Sequence, residues 1–540
     1  MTNAPQTAPS GPADTVREKR DRQVGAIEAL LLLLVGAGAF HLAWLGGLWG
    51  AAIVVFLYCA ARLGAMRSPG AALGMGLLLG LATYLPGVWV LTGGLGVKAA
   101  VVAAILVLVL GIFVWMGHVA GKILPVAGAL AVLPVVWTGL EYTRSELGPT
   151  AFSWLATGLA IPAGGAHHAL GVYGVGFVLM AAAAAACSWR GINRLLGLVV
   201  AVGVGVCLGL WPASAVPTVG VRFEAAVRPV QASPENAATG AAATQQDRLS
   251  RMMPERPAVA TLSFSKPKPA EVEGLLSAAM KAHPEAGILV INDYAMDLKD
   301  NIGRWCSRNN RYVITSIAVN QKAGGARITL VVTGPKGTVY VEDRLALNMD
   351  PEDEGALEVP VFETPWGKMG LVTFHDFSYR RKMDPLIAKG AVGLLVVGRD
   401  IEPWGDQGRE ARSGLLQVRA AEYGVPVLRS IGSPASMLVQ ANGVVAASGE
   451  TVAGFMDMPV MGDVPLDSFG APVCAVLAGL WLLVELGVLS SQRSKTAKAV
   501  SAVPPTVAVG PAPAPAPGSS PVVPGKPQGG NVTDRPPEKH

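Results

Sequence analysis

Charge is scarce in this 540-residue chain: 15% of its residues are Asp, Glu, Lys or Arg, against about 25% in a typical soluble domain. The shortage is local. Between Val24 and Pro212 the only charged side chains are Glu28, Arg62, Arg67, Lys98, Lys122, Glu141, Arg144, Glu146, Arg190 and Arg194. That distribution excludes a single water-soluble globule. With 51% apolar residues and a mean hydropathy of +0.43, it also excludes a disordered or fibrous chain. Cysteine is equally sparse. Cys59, Cys187, Cys207 and Cys474 fall in apolar runs, and Cys306 stands alone in the polar half, which therefore has no internal disulfide. No Cys/His pair has metal-ligand spacing, His167–His168 being a loop dipeptide, so no metal and no other cofactor is expected. The net charge is +5, but no stripe of Lys/Arg interleaved with aromatics is present, so nucleic acid is not an expected partner.

What is present is a set of long apolar runs, each near the roughly 20 residues that cross a bilayer. They lie at about Ala26–Leu45, Leu48–Leu63, Ala72–Val90, Ala99–Met116, Ile123–Leu140, Ala169–Ser188, Leu195–Trp211 and Val473–Leu489. Arg17, Lys19, Arg20 and Arg22 precede the first. Arg62 and Arg67, then Lys122, then Arg190 and Arg194 fall in alternate connections, and Arg493, Lys495 and Lys498 follow the last. Cations on one side predict eight transmembrane helices with both termini cytoplasmic, and the segment between the seventh and eighth helices on the opposite face. The first helix reads as a retained anchor. Glu28 and Glu485 lie towards cytoplasmic helix ends rather than at the midplane, which argues against a transporter's coupling site. The expected organisation is a cytoplasmic tail over 1–23, a seven-helix domain over 24–212, an external domain over 213–470, an eighth helix over 471–490 and a disordered Pro/Ala-rich tail over 491–540.

The external segment alternates short β-branched runs with helical stretches, the pattern of a layered α/β domain. Strands are predicted over Gly287–Ile291, Tyr312–Val319, Ile328–Gly334, Gly337–Val341, Met369–Phe374, Gly393–Val397, Val425–Leu428, Ser436–Gln440 and Val444–Ala447. Helices are predicted over Ala270–Ala282, Tyr379–Lys389 and Arg412–Tyr423. Thr333-Gly-Pro-Lys-Gly-Thr338 and Gln440-Ala-Asn-Gly443 read as hairpin turns.

Five stretches carry a family resemblance: Trp137-Thr-Gly-Leu-Glu-Tyr-Thr-Arg144, Phe152-Ser-Trp-Leu155, Gly171-Val-Tyr-Gly-Val-Gly-Phe177, Trp404-Gly-Asp406 and Arg419-Ala-Ala-Glu-Tyr-Gly-Val-Pro-Val-Leu-Arg429. In order and spacing, with the eight-helix pattern, they resemble the apolipoprotein N-acyltransferase family of Gram-negative bacteria. The resemblance implies an inner-membrane helical bundle carrying a periplasmic nitrilase-type αββα sandwich of the carbon-nitrogen hydrolase superfamily. It also implies acyl transfer from phospholipid to the N-terminal diacylglyceryl-cysteine of lipoproteins, through a Glu–Lys–Cys triad. In such a triad a thiolate attacks the ester to form a thioester. The carboxylate acts as base and the lysine stabilises the oxyanion.

This chain departs from the family at those positions. The family's Trp-Pro-Glu falls on Ile291-Asn-Asp293, its lysine on Arg344 with a later glutamate on Glu352, and its Lys-Ile-Gly-Val-Leu-Ile-Cys-Tyr-Glu on Lys368-Met-Gly-Leu-Val-Thr-Phe-His-Asp376. The nucleophile position is thus Phe374, which has no lone pair to attack an ester. Arg344 keeps a charge but spreads it over a planar fork. Asp293 is one methylene short, about 1.5 Å, where an error of about 1 Å alone costs roughly a hundredfold. The expectation is a catalytically degenerate member that binds lipid or lipoprotein N-termini, or partners an active paralogue. The alternative is direct amine attack assisted by His375 beside Asp376. Thr373, on the opposite face of its strand from residue 374, and Cys306 are expected to be structural. Glu141, Arg144 and Trp404 are the candidate lipid-binding residues; Glu141 and Arg144 lie three apart on one helical face, and the alternative for them is an interfacial ion pair that anchors the helix end.

Overall fold

A computed structural model describes residues 23–89, 97–147, 153–189, 193–212, 257–262, 269–291, 299–320, 326–346, 361–373, 377–398, 405–431, 436–459, 462 and 465–501. The chain forms two units, Met1–Leu486 and Gly487–His540.

The first unit opens with apolar helices: α1 (Ala26–Ala43), α2 (Ile53–Leu63), α3 (Pro69–Trp89), α4 (Val97–Ile123), α5 (Val126–Tyr142), α6 (Gly165–Ser188) and α7 (Asn193–Leu210). With the last helix, seven described helices are long and apolar enough to cross a membrane. The second predicted run is the exception to the expected eight. Gly47–Ala52 forms a 3-10 turn that leads into the 11-residue α2, giving a short apolar helix over Gly47–Leu63. Gly46 and Gly47 have φ of 83° and 59°, and such glycines start a helix late.

The bundle is held by edge-to-face aromatic packing. Phe40 meets Phe56 and Tyr84 at ring-centroid separations of 5.1 and 5.2 Å, and Trp137 meets Phe113 and Phe56 at 4.9 and 6.1 Å. α3 and α4 approach through small residues: a Cβ on Gly80 would stand 2.9 Å from the Val107 Cα, the close-packing device of membrane helices. Leu30, Leu31, Leu34, Val199 and Val200 are each more than half exposed. Contiguous apolar surface of this kind suits a lipid surround rather than water.

The polar half folds into four layers. One six-stranded sheet has the order β12-β1-β2-β3-β4-β5 and the other β11-β10-β9-β8-β7-β6. The strands are β1 (Ala258–Leu262), β2 (Ile288–Ile291), β3 (Tyr312–Asn320), β4 (Ala326–Gly334), β5 (Gly337–Ala346), β6 (Val361–Thr364), β7 (Gly367–Thr373), β8 (Ala391–Gly398), β9 (Val427–Ile431), β10 (Ser436–Val439), β11 (Val445–Gly449) and β12 (Ala453–Phe455). β1, β2 and β3 run parallel, as do β7, β8 and β9. Val259, Val290, Ile314, Leu371, Leu395 and Leu428 interleave between the sheets. Helices α8 (Pro269–Ala282) and α9 (Lys299–Asn309) cover the first sheet, and α10 (Arg380–Ala388) and α11 (Gly405–Tyr423) cover the second. The layered α/β domain that the pattern predicts thus takes the αββα arrangement that the resemblance implies.

Both predicted hairpins form: β4 pairs with β5 across Pro335–Lys336, and the Gly443 N–H, at φ 81°, donates to the Gln440 carbonyl. Strands β1, β6 and β12 and helix α9 go beyond the prediction. β6 and β12 are three- or four-residue edge strands without clear alternation, and α9 is strongly polar. Cys306 accordingly lies on a helix, fully buried. The last helix, α12 (Asp467–Ser501), outruns its predicted bounds at both ends. The tail predicted to be unstructured from Ser491 continues as helix to Ser501, through Gln, Lys and Ala residues of good helix propensity.

Candidate functional site

Of the predicted site residues, Asp293, Glu352, Phe374, His375, Asp376 and Trp404 lie outside the described residues. Arg344 is placed by its backbone within β5, opposite Ile328. Glu141 and Arg144 are described in full. The flanking strands are clear: β2 ends at Ile291, β7 at Thr373 and β8 at Gly398. In the sequence, Asp293, Phe374 and Trp404 come after these parallel strands. Thr373 stands in register with Val397, whose side chain packs between the sheets, whereas Val372 faces the covering helices.

Immediately beyond 374–376 the chain is tied to the helical bundle. Ser153 Oγ donates to the Ser378 carbonyl at 2.9 Å, and Trp154 Nε1 donates to Ser378 Oγ at 3.1 Å. The Arg419 guanidinium donates to the same Ser378 carbonyl at 3.1 Å. Phe377, Ser378 and Tyr379 are all buried. Thus β7 is held by its sheet, and Ser378 is held by the bundle and by Arg419.

The centre of this junction is a break in α6. Gly171 leaves helical geometry at φ 73° and ψ 174°, freeing the next N–H groups, which are the positive end of the helix that resumes after it. Carboxylates take them up. Val172 N donates to Glu422 Oε1 at 2.9 Å, and Tyr173 N and Gly174 N donate to Asp467 Oδ2 at 2.7 and 3.3 Å. A Cβ on residue 171 would overlap the Asp467 carboxylate, so both space and φ require glycine.

Two arginines join these acids. Arg380 pairs with Asp467, lies 3.5 Å from Glu422 and 3.6 Å from Asp384, and bonds Ser468. Arg419 pairs with Glu422 at 2.5 Å. Glu146, in the π-turn Thr143–Leu147 that ends α5, accepts the Tyr173 hydroxyl at 2.7 Å and the Arg380 N–H at 3.3 Å. Arg380, Arg419, Glu422, Glu146 and Asp467 are all buried. Burial pushes the Glu422 carboxyl up, but Arg419, Arg380 and the Val172 N–H outweigh it and hold the group below the ordinary carboxylate range. The Tyr379 hydroxyl is driven above its usual value by burial and by the nearby Glu146.

Glu141 and Arg144 form a second cluster inside the bundle. The Glu141 carboxylate accepts Thr157 N–H at 2.7 Å, Thr157 O–H at 3.0 Å and Arg144 Nη2 at 3.4 Å. Arg144 also donates to the Leu155 carbonyl at 2.9 Å, and its guanidinium lies 6.0 Å from the Tyr84 ring centroid. Glu141 and Arg144 are almost fully buried, and their arrangement braces the connection from α5 to α6.

Sequence reasoning singled out neither Glu146 nor Arg380, Glu422 or Asp467 as site residues. The available signal was charge at the ends of apolar runs, together with Arg419 and Glu422 inside a quoted motif. That these charges meet depends on contacts between residues as much as 294 positions apart.

No family model matches the chain, and no curated protein matches it. Several solved structures are similar to part of the chain. Saccharomyces cerevisiae Nit3, of branch 10 of the nitrilase superfamily, is 14% identical over 37% of this chain and 90% of that one, with a TM-score of 0.32. A carbon-nitrogen hydrolase from Helicobacter pylori G27 is 16% identical over 38% and 90%, with a TM-score of 0.32. An amidase from Nesterenkonia sp. is 16% identical over 38% and 91%, with a TM-score of 0.31.

Proposed function

We propose that this chain is a membrane-embedded relative of the apolipoprotein N-acyltransferases that binds an acylated lipid or lipoprotein N-terminus but no longer forms the family's thioester. The observation that carries this reading is Phe374 directly after β7, at the position where the resemblance requires cysteine. A benzyl side chain offers no electron pair to an ester carbonyl, so nucleophilic catalysis has no starting group there. The attachment of Ser378 to Ser153 and Trp154 supports a retained binding role, because it holds the carboxyl end of β7 against the helical bundle.

In this reading the long helices cross the cytoplasmic membrane. Gly47–Leu63 crosses as well, since a 3-10 turn of six residues and an α-helix of 11 rise about 28 Å, close to a hydrocarbon core of about 30 Å. The αββα sandwich then lies on the periplasmic face, with both termini cytoplasmic. Phospholipid and a diacylated lipoprotein N-terminus are the partners, and an active paralogue would carry out the chemistry.

The test is binding and turnover together: purified protein, labelled phospholipid and a synthetic diacylated lipopeptide. Binding of lipopeptide without N-acylated product supports the reading. Robust product overturns it and points to the imidazole of His375 as the base for direct transfer.

A further inference from the structure

We infer that Ser430 is a binding residue, its hydroxyl donating a hydrogen bond to the carbonyl oxygen of a fatty-acyl ester held between the two sheets. The inference rests on the proposed lipid-binding function and names a contact within it.

Thr373, Val397 and Ser430 form one row across β7, β8 and β9, each in register with the next at the carboxyl ends of these parallel strands. Val397 packs in the core between the sheets. Side chains level with one another across parallel strands share a face, so Thr373 and Ser430 are directed there too. Two inter-strand spacings separate them, a Cα distance of about 10 Å at about 4.8 Å per spacing. Thr373 is partly exposed, whereas Ser430 is 1% exposed. The row therefore runs from an accessible end at β7 to a buried end at β9.

At that buried end the Ser430 hydroxyl has no hydrogen-bond partner among the described residues. A buried hydroxyl without a partner is costly, and most such groups in folded proteins are satisfied by protein or water. Alanine or valine in this position would extend the core formed by Val397, Leu428 and Leu395. The hydroxyl is explained if it meets a ligand. The described core residues on its face, Val397, Leu395 and Leu428, are apolar, so the matching group is an acceptor embedded in hydrocarbon. An acyl ester carbonyl has that character, and both a phospholipid and a diacylglyceryl-cysteine carry one.

The experiment compares intact wild-type protein with Ser430→Ala and the near-isosteric Ser430→Cys. Each is titrated with a diacylated lipopeptide and with phosphatidylethanolamine in nanodiscs, and each again with the dialkyl ether analogue that lacks the carbonyl. Wild type should prefer the ester by about fivefold to tenfold, the worth of one hydrogen bond, and both variants should lose that preference. Which of the two esters shows it identifies the source of the acyl group. Without ligand, Ser430→Ala should melt at the same temperature as wild type or higher, because it removes an unsatisfied group. Failure of wild type to bind either ester refutes the lipid-binding function itself. Binding with no ester preference, or with a preference that survives in the variants, overturns the role of Ser430 alone. So does a lower unliganded melting temperature for Ser430→Ala, which would mean that the hydroxyl is bonded within the protein.

Discussion

The carboxylate of Asp467, the first residue of α12, accepts the backbone N–H of Tyr173 at 2.7 Å, just past the break in α6 at Gly171. One residue of the last helix thus caps a half-helix laid down 294 positions earlier, while Glu422 of α11 caps the neighbouring N–H. The helical bundle and the sandwich share a helix terminus in this way, and Arg380 and Arg419 neutralise the acids that complete it.

Replacing Glu422 by Ala should be among the most damaging single changes in the chain. It strands Arg419, buried and without its closest carboxylate, and leaves the Val172 N–H uncapped. Removing one member of a buried pair costs about 3–5 kcal/mol. Thermal unfolding in detergent should show a large drop, and Glu422→Gln, which keeps an acceptor for the Val172 N–H, should show a smaller one.

Gly171→Ala should also destabilise the junction, because the new Cβ meets the Asp467 carboxylate and the backbone is at positive φ. Limited proteolysis should release the sandwich from the bundle faster than in wild type. An unchanged proteolysis rate would mean that the break does not depend on glycine.

The junction should weaken in acid. Glu422 is held below its ordinary value in the folded protein, so its contribution is complete above the unfolded carboxylate value of about 4.3. It is lost as the pH falls from there through the depressed folded value. Melting temperature measured from neutral to acid pH should fall over that window in wild type, and less steeply in Glu422→Gln.

Trp154→Phe removes one hydrogen bond to Ser378 while keeping an aromatic ring. A net cost of about 1 kcal/mol is expected. The readout is hydrogen exchange in the peptide that spans residues 374–380, which should quicken while peptides from β3 and β4 stay unchanged.

Cys306 should resist thiol reagents in the folded state. Burial pushes its thiol up to about 12, and its Sγ lies 3.5 Å from the Thr333 carbonyl, so thiolate is scarce at neutral pH. Alkylation should require denaturant.

Much of the fold could be read from residue order alone. Long apolar runs mark α1 and α3 through α7, and alternation marks β2, β3 and β8, because these elements bury faces whose periods are visible locally. The run Leu48–Leu63 reads as one span because hydropathy does not register the glycines at 46 and 47, after which it opens as a 3-10 turn before α2. Strands β6 and β12 were missed because edge strands need less apolar character. At the candidate site, Phe374 is named by the resemblance alone; it follows β7 in the sequence and lies outside the described residues. The junction was not legible. Glu146, Arg380, Glu422 and Asp467 look like ordinary surface charge until the fold buries them around one broken helix.

The most direct measurement is acyl transfer from labelled phospholipid to a synthetic diacylated lipopeptide by the purified protein, with lipopeptide binding followed in the same samples. The account predicts saturable binding and no N-acylated product. Sustained formation of that product would contradict it.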